Sequence, residues 1–476
     1  MRRTKIVATL GPASEKPEIL VRMLEKGVNL VRMNFSHGKA EDHQRRIELV
    51  RQCAAKINRE VGILADLQGP KIRIAKFKEG KIDLKKGDQF SLNADLETEA
   101  GDQTQVGIDY KNLPQDVKEG DTLLLDDGRI VLKVKKVSGN CIQCEVEVGG
   151  KLSNNKGINR QGGGLSAPAL TEKDKADLQT AVRADVDYLA VSFPRCASDI
   201  EEARLLLGKE GKYIGIIAKI ERAEAIHNID EIIEASDAVM VARGDLGVEI
   251  GEAEVPAMQK HIIQRARALV KPVITATQMM ESMITSNVPT RAEVSDVANA
   301  VLDGTDAVML SAESAVGEHP DLVVEAMARI CVGAEKYLPK IVESQVVPKE
   351  FKRADRTIAA ATMFAADHMD VKAILALTES GATPLWMSRI RSGIPIYGFS
   401  RHAKTRAKMT LYRDVYPIAF DVTKLNRNEI NRKAVEELER HHLAKKGDWV
   451  ILTKGDHLGI HGGTNAMKIL EVGKIN

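Results

Sequence analysis

Glu221 and Asp245 close two successive apolar runs, IGIIAKIE and DAVMVARGD. Two carboxylates at neighbouring strand ends, with room for water, suit Mg²⁺, a hard cation that rarely takes a full protein cage. The alternative is an ion pair from either carboxylate to Lys219 or Arg243. Lys219 beside two carboxylates is held as an ammonium rather than freed as a base. It therefore suits stabilisation of negative charge that develops in a transition state. Gly244 and Gly247 in VARGDLGVEIG admit close backbone approach before a helical turn whose N–H groups would hold a carboxylate or phosphate. They read equally as an ordinary glycine turn. Arg32 and Arg73 are candidates to clamp phosphoryl oxygens with paired donors, against a background of 69 Lys and Arg residues.

These residues need elements that bring them together. Eight short apolar runs recur: TKIVATLG, NLVRMNFS, VGILADLQG, DYLAVSFP, IGIIAKIE, DAVMVARGD, PVITATQM and DAVMLSAE. Each is followed sooner or later by a helical pattern. Apolar strands alternating with amphipathic helices predict a parallel sheet covered by helices, and eight such units close a (β/α)8 TIM barrel. The C-terminal strand ends then converge on one face. They gather Arg32, Asn34, Ser36, Asp66, Ser192, Lys219, Glu221, Arg243, Asp245, Thr277, Ser311 and Glu313. Thr290 and Glu293 have capping-box spacing at the start of one helix, and Gly304 supplies its stop.

About a hundred residues separate Asp66 from the helical run TEKDKADLQTAVR, too long for a barrel loop. Short β runs between Gly and Asp turns within it predict a small β-barrel domain inserted over residues 71–167. The barrel then comprises 1–70 and 168–345. A weakly periodic linker follows Tyr337, and 346–476 read as an open α/β domain. Three domains agree with a chain of 476 residues.

Net charge is +2 and aromatic content 4%, which disfavours dedicated nucleic-acid binding. No apolar run approaches a membrane span of roughly 18 residues. Gly11 and Pro12 interrupt the first apolar stretch before it reaches the length of a signal peptide's core. Five cysteines, odd and sparse, suit reduced thiols in the cytoplasm. Cys141 and Cys144 form a C-x-x-C without a second pair and read as strand packing, while His441 and His442 read as surface residues. There is neither a P-loop signature nor a dinucleotide-binding glycine fingerprint.

VRMNFSHG, ADLQGPKIR, LSNNKGIN, AKIERAEA, MVARGDLGVEI, TATQMMESMI, PTRAEVSDVANAVLDGTDAVMLSAE and TESGAT together resemble the pyruvate kinase family over essentially the whole chain. The resemblance implies the same barrel, a mobile lid, a C-terminal regulatory domain and a homotetramer. It implies transfer of the phosphoryl group of phosphoenolpyruvate to ADP, then protonation of the enolate to pyruvate. Glu221 and Asp245 then hold Mg²⁺ or Mn²⁺, and Lys219 neutralises the transferring group and the enolate. Thr277 and the backbone at Gly244 and Asp245 cradle the substrate carboxylate. Thr277, Ser311 and Glu313 form the polar relay to C3. Arg32 and Arg73 match phosphoryl and nucleotide contacts, with Asn34, His37 and Lys156 on the ADP side.

Asn34, Ser36 and Asp66 match the monovalent-cation region, but Leu67, Gln68, Lys71 and Ile74 resemble the potassium-independent branch of the family. A fixed ammonium at Lys71 would supply the charge of a bound K⁺, so activity without K⁺ is expected. Thr378, Ser380, Gly381 and Thr383 resemble the family's effector-phosphate loop. Glu379 and Ala382 replace basic residues there, so a monophosphate effector is expected, a sugar monophosphate or AMP. Two other readings compete: a metal-dependent lyase or aldolase acting through an enolate on the same barrel, and a phosphometabolite-binding regulator without turnover.

Overall fold

Val, Ile, Leu, Met and Ala dominate the eight runs, and strands of such residues are stable only where both faces are covered. A computed structural model describes residues 1–338, 353–390, 392–456 and 462–474. In it the runs form one closed barrel of parallel strands: Lys5–Thr9, Leu30–Asn34, Gly62–Asp66, Tyr188–Val191, Gly215–Ile220, Ala238–Ala242, Val273–Ala276 and Ala307–Leu310. The first strand closes the ring, with Lys5 opposite Ala307 of the eighth and Val7 opposite Leu30 of the second. The eight runs and the fold class are therefore as expected from the sequence.

Local sequence fixes the surrounding helices. Thr290 Oγ1 accepts from the Glu293 amide, and Glu293 Oε2 accepts from the Thr290 amide at 2.8 Å, which starts the helix Arg291–Asp303. Gly304 ends it at φ +98°, a conformation costly for any residue with a Cβ. Thr171 and Asp174 make the same reciprocal cap on Glu172–Arg183, the helix that resumes the barrel after the insertion.

Between Asp66 and that helix, eight strands divide into a six-stranded sheet and a two-stranded one, Lys81–Leu84 with Gly150–Ser153. They enclose their own apolar core, including Phe90, Leu92, Leu123, Leu132 and Val146. Cys141 and Cys144 lie on its strand Cys141–Val148; burial pushes the Cys144 thiol up to about 12, as strand packing requires.

In the C-terminal part a five-stranded sheet runs in the order Val415–Ala419, Ile396–Ser400, Val371–Leu377, Trp449–Lys454, Ala466–Glu471. The last strand is antiparallel to its neighbour. The linker expected after Tyr337 lies largely outside the described residues. This domain seals the barrel floor. Tyr188, Ile217 and Met240 of the barrel interior share one apolar cluster with Met409, Tyr412 and Val415. Arg389 meets Asp306 in a buried ion pair at the same junction. No helix among the described residues is long and apolar enough to cross a membrane.

Candidate active site

The fifth strand carries Lys219 to the top of the barrel, where its ammonium meets three acceptors. Ser192 Oγ lies at 2.8 Å, Glu221 Oε1 at 2.9 Å and Asp66 Oδ1 at 3.3 Å. Burial opposes the charge, but the carboxylates of Asp66 and Glu221 outweigh it and raise the Lys219 pKa. The two carboxylates thus favour its ammonium form, the charge state expected from the sequence. Asp66 is also buried, yet Arg32 and Lys219 hold its pKa below the ordinary value. Arg32 Nε donates to Asp66 Oδ2 at 2.5 Å, and its NH1 donates to Thr9 Oγ1 at 3.1 Å. Two cations from the second and fifth strands therefore flank one carboxylate from the third.

Glu221 pairs with Lys219 through one oxygen and accepts the Phe193 amide at 2.9 Å with the other. Burial pushes its carboxyl up to about 7; Lys219 opposes the rise, while the Asp245 carboxylate adds to it. Asp245 lies at the start of the helix Arg243–Ile250, and its Oδ1 is 3.3 Å from Lys71 Nζ. Of the sequence alternatives, the Glu221 pair to Lys219 forms; Asp245 pairs with Lys71, and Arg243 instead takes Asp296. Two interacting carboxylates of which one is destabilised by burial fit a divalent cation, which adds charge where protonation otherwise would. Among the described residues no group of three His, Cys, Asp or Glu side chains gathers to hold a metal. A two-carboxylate set is what Mg²⁺ takes when waters and substrate complete its shell.

Lys71, Asp127, Gly244, Asp245 and Thr277 line one open cleft. Thr277 has φ +67° and Gln278 φ +53°. The Thr277 hydroxyl accepts the Gly244 amide at 2.9 Å and donates to Ala276 O at 2.7 Å. The amide expected to meet a substrate carboxylate is therefore satisfied by Thr277 in this structure. Ser311 and Glu313 stand beyond the eighth strand. Both carboxylate oxygens of the buried Glu313 accept backbone amides, from Met280 at 3.1 Å and Ser311 at 2.7 Å. Glu313 thus braces the ends of the seventh and eighth strands together.

Residues matched to nucleotide contacts come from two sides. Asn34 Oδ1 accepts the Ser36 amide at 3.2 Å, and His37 is exposed beside it. On the inserted domain, Arg73 NH1 donates to Asn155 O at 2.9 Å, and Lys156 Nζ lies 2.7 Å from Asp126 Oδ1. Leu67 is buried, and its carbonyl accepts from Ser192 Oγ at 2.7 Å. In the C-terminal domain Thr378, Ser380 and Thr383 line a pocket with Arg401 and Lys454. Thr378 Oγ1 accepts the Gly381 amide at 2.9 Å, and Thr383 Oγ1 meets Thr464 Oγ1 at 2.8 Å. Glu379 is turned to His402 at 2.5 Å and Arg401 at 3.4 Å.

Ser192, the third acceptor at Lys219, stood in the strand-end inventory without a role. Asp127 and Asp296 carried no sequence signal, since one lies in a turn of the inserted domain and the other on a helix.

A closed barrel whose C-terminal strand ends converge on buried cations and carboxylates has the layout of a barrel enzyme's active face. Residues 1–324 match the family model of the pyruvate kinase barrel domain, and residues 356–470 that of the pyruvate kinase alpha/beta domain. The chain is 56% identical to pyruvate kinase II of Salmonella typhimurium over 99% of each chain, and 54% identical to a pyruvate kinase of Haemophilus influenzae over 96% of each. A pyruvate kinase of Corynebacterium glutamicum is 42% identical, over 98% of this chain and 97% of its own. The chain belongs to the pyruvate kinase family and is a phosphotransferase.

Proposed function

We propose that this chain transfers the phosphoryl group of phosphoenolpyruvate to ADP, with the strand-end residues named above in the roles their family counterparts imply. The observation that carries the reading is the Lys219 ammonium held among Asp66, Ser192 and Glu221 at the barrel's C-terminal face. The bond from phosphorus to the enol oxygen breaks as a bond to a β-phosphate oxygen of ADP forms, leaving an enolate that takes a proton at C3. Lys219 and Arg32 place positive charge where the transferring group and the enolate oxygen carry negative charge. Their fixed partners mean that little reorganisation is needed as that charge develops. Glu221 and Asp245 would hold Mg²⁺ or Mn²⁺, which supplies further charge neutralisation to substrate oxygens. Thr277, with the backbone of Gly244 and Asp245, orients the substrate carboxylate, the Gly244 amide sharing its hydrogen bond between the Thr277 hydroxyl it meets here and the carboxylate; Thr277, Ser311 and Glu313 order the groups near C3. Asn34, His37, Arg73 and Lys156 bind the nucleotide.

Monovalent cation is not required on this reading. Asp66 is already committed to Arg32 and Lys219, Asn34 is folded onto the Ser36 amide, and Lys71 brings an ammonium to the cleft. The wider reading divides the chain into barrel (1–70 and 168–345), lid (71–167) and regulatory domain (346–476), assembled as a cytoplasmic homotetramer. Thr378, Ser380, Gly381 and Thr383 take the phosphate of a monophosphate effector, a sugar monophosphate or AMP.

Pyruvate formation from phosphoenolpyruvate and ADP with Mg²⁺ tests the assignment, with Lys219→Met beside the parent chain. Turnover in the parent and its near loss in the variant, with phosphoenolpyruvate still bound, is expected because the ammonium acts mainly in the transition state. Unchanged turnover in the variant would contradict the role of Lys219. A silent, folded parent supplied with effectors would contradict the proposed roles of these residues; the family match already disfavours the lyase and the regulator.

A further inference from the structure

Arg243 is the best-satisfied side chain in the cleft. A guanidinium has five N–H donors in a fixed fork, and here each has an acceptor. Its NH1 donates to Asp296 Oδ1 at 2.6 Å and Gln259 Oε1 at 3.3 Å; NH2 donates to Asp296 Oδ2 at 2.8 Å and Thr277 O at 2.7 Å; Nε donates to Ala276 O at 3.2 Å. An arginine so occupied has no donor left for a substrate, although it follows the sixth barrel strand directly and its side chain is only 10% exposed.

Two of the five acceptors are the carbonyls that bracket the most strained backbone of the site. Thr277 at φ +67° is β-branched, and such residues almost never adopt left-handed conformations; Gln278 follows at φ +53°. Backbone of this kind persists only when its surroundings over-determine it. The surroundings here are Arg243 on the two carbonyls and the Gly244 amide on the Thr277 hydroxyl. Asp296, on the helix Arg291–Asp303, fixes the fork from behind through a bidentate pair.

We propose that Arg243, locked by Asp296, is a positioning residue that holds Thr277 in its strained conformation and so aims its hydroxyl into the cleft. This rests on the reading that Thr277 meets the substrate. Lysine at 243 keeps one charge but cannot span a carboxylate and two carbonyls at once.

The test is a double-mutant cycle on pyruvate formation with Arg243→Lys, Thr277→Ala and the pair together, each checked for native circular dichroism. A misplacement of about 1 Å in a reacting geometry costs on the order of 10²-fold, so Arg243→Lys is expected to lower kcat by about that factor. Thr277→Ala is expected to lose turnover similarly, and the double variant to be no slower than Thr277→Ala alone. Losses that multiply would show that Arg243 acts independently of Thr277 and would overturn the proposal. So would an Arg243→Lys chain as fast as the parent while Thr277→Ala is slow; the reading of Thr277 would then survive without its strut. A fully active Thr277→Ala would remove that reading and the proposal with it. Should Arg243→Lys fail to fold, Asp296→Asn takes its place in the cycle and is judged by the same outcomes, since the Asp296 side chain is 34% exposed.

Discussion

Lys71 reaches the cleft from the first residues after the third barrel strand and places its ammonium 3.3 Å from Asp245. The glycine at 157 lets the returning chain pass close to it; a Cβ there would stand 3.3 Å from Lys71 Cε. On the proposed reading a charge fixed by the chain replaces a diffusible cation, so turnover in buffer free of K⁺, Na⁺ and NH₄⁺ is expected to match turnover with K⁺ added. Lys71→Met should lose about 10- to 100-fold without K⁺, as a charged hydrogen bond of ~1.5–3 kcal/mol would imply. Initial rates across a K⁺ titration check both statements; strong K⁺ activation of the parent would end the substitution argument. At this scale the sequence was informative wherever β geometry sets position. Lys219, Glu221, Asp66 and Ser192 are strand-end residues and had to converge. Asp296 did not, because it meets Arg243 from a helix 53 residues further along.

The inserted domain presents its cations as one element. In the turn between its strands Thr122–Leu125 and Ile130–Ser138, Asp126 and Asp127 both have positive φ, at +51° and +56°. That turn aims Asp126 at Lys156, while Arg73 is held by the carbonyl of Asn155. Asp126→Asn weakens the hold on Lys156 and is expected to raise KM for ADP several-fold, about the effect of ~1 kcal/mol, while KM for phosphoenolpyruvate stays near the parent value. Steady-state kinetics with each substrate varied decide it; equal shifts in both would mean that Asp126 supports the fold of the lid and not its nucleotide side. The sequence revealed the insertion because β runs with Gly and Asp turns interrupt a regular barrel. It did not reveal that Arg243–Ile250 is a full helix, since Gly244 and Gly247 lower helix propensity and only packing restores it. Nor did it reveal the edge strand Ala466–Glu471, whose residues are at most half-buried and therefore lack the apolar signal that marked the others.

The barrel and C-terminal domain are joined through charge as well as apolar contact. Arg389 NH1 donates to Asp306 Oδ2 at 2.9 Å, and the Arg413 and Val273 amides also reach this carboxylate. Burial alone would push the Asp306 carboxyl up, but Arg389 outweighs it and holds the group below its ordinary value. Arg389→Met leaves that charge without its counterion, a change that typically costs about 3–5 kcal/mol. A lower unfolding midpoint at pH 7 is expected by calorimetry. Because the folded carboxyl is the stronger acid, unfolding takes up a proton; the stabilisation is complete above about pH 4 and fades as pH falls through the folded value. The gap between parent and variant should narrow as pH falls, beginning above about pH 4 because burial without Arg389 raises the variant's Asp306 carboxyl, and a gap independent of pH would contradict the linkage.

The shared core at the barrel floor bears on how such a gene can change. Tyr188, Ile217 and Met240 are covered by Met409, Tyr412 and Val415 rather than by barrel residues alone. A reading frame that stopped after the eighth strand would encode a cylinder with a greasy open base and an orphan aspartate at its rim. Recombination that swaps this last domain for an unrelated one meets the same obstacle, so the two halves are expected to be inherited and to drift as a matched pair.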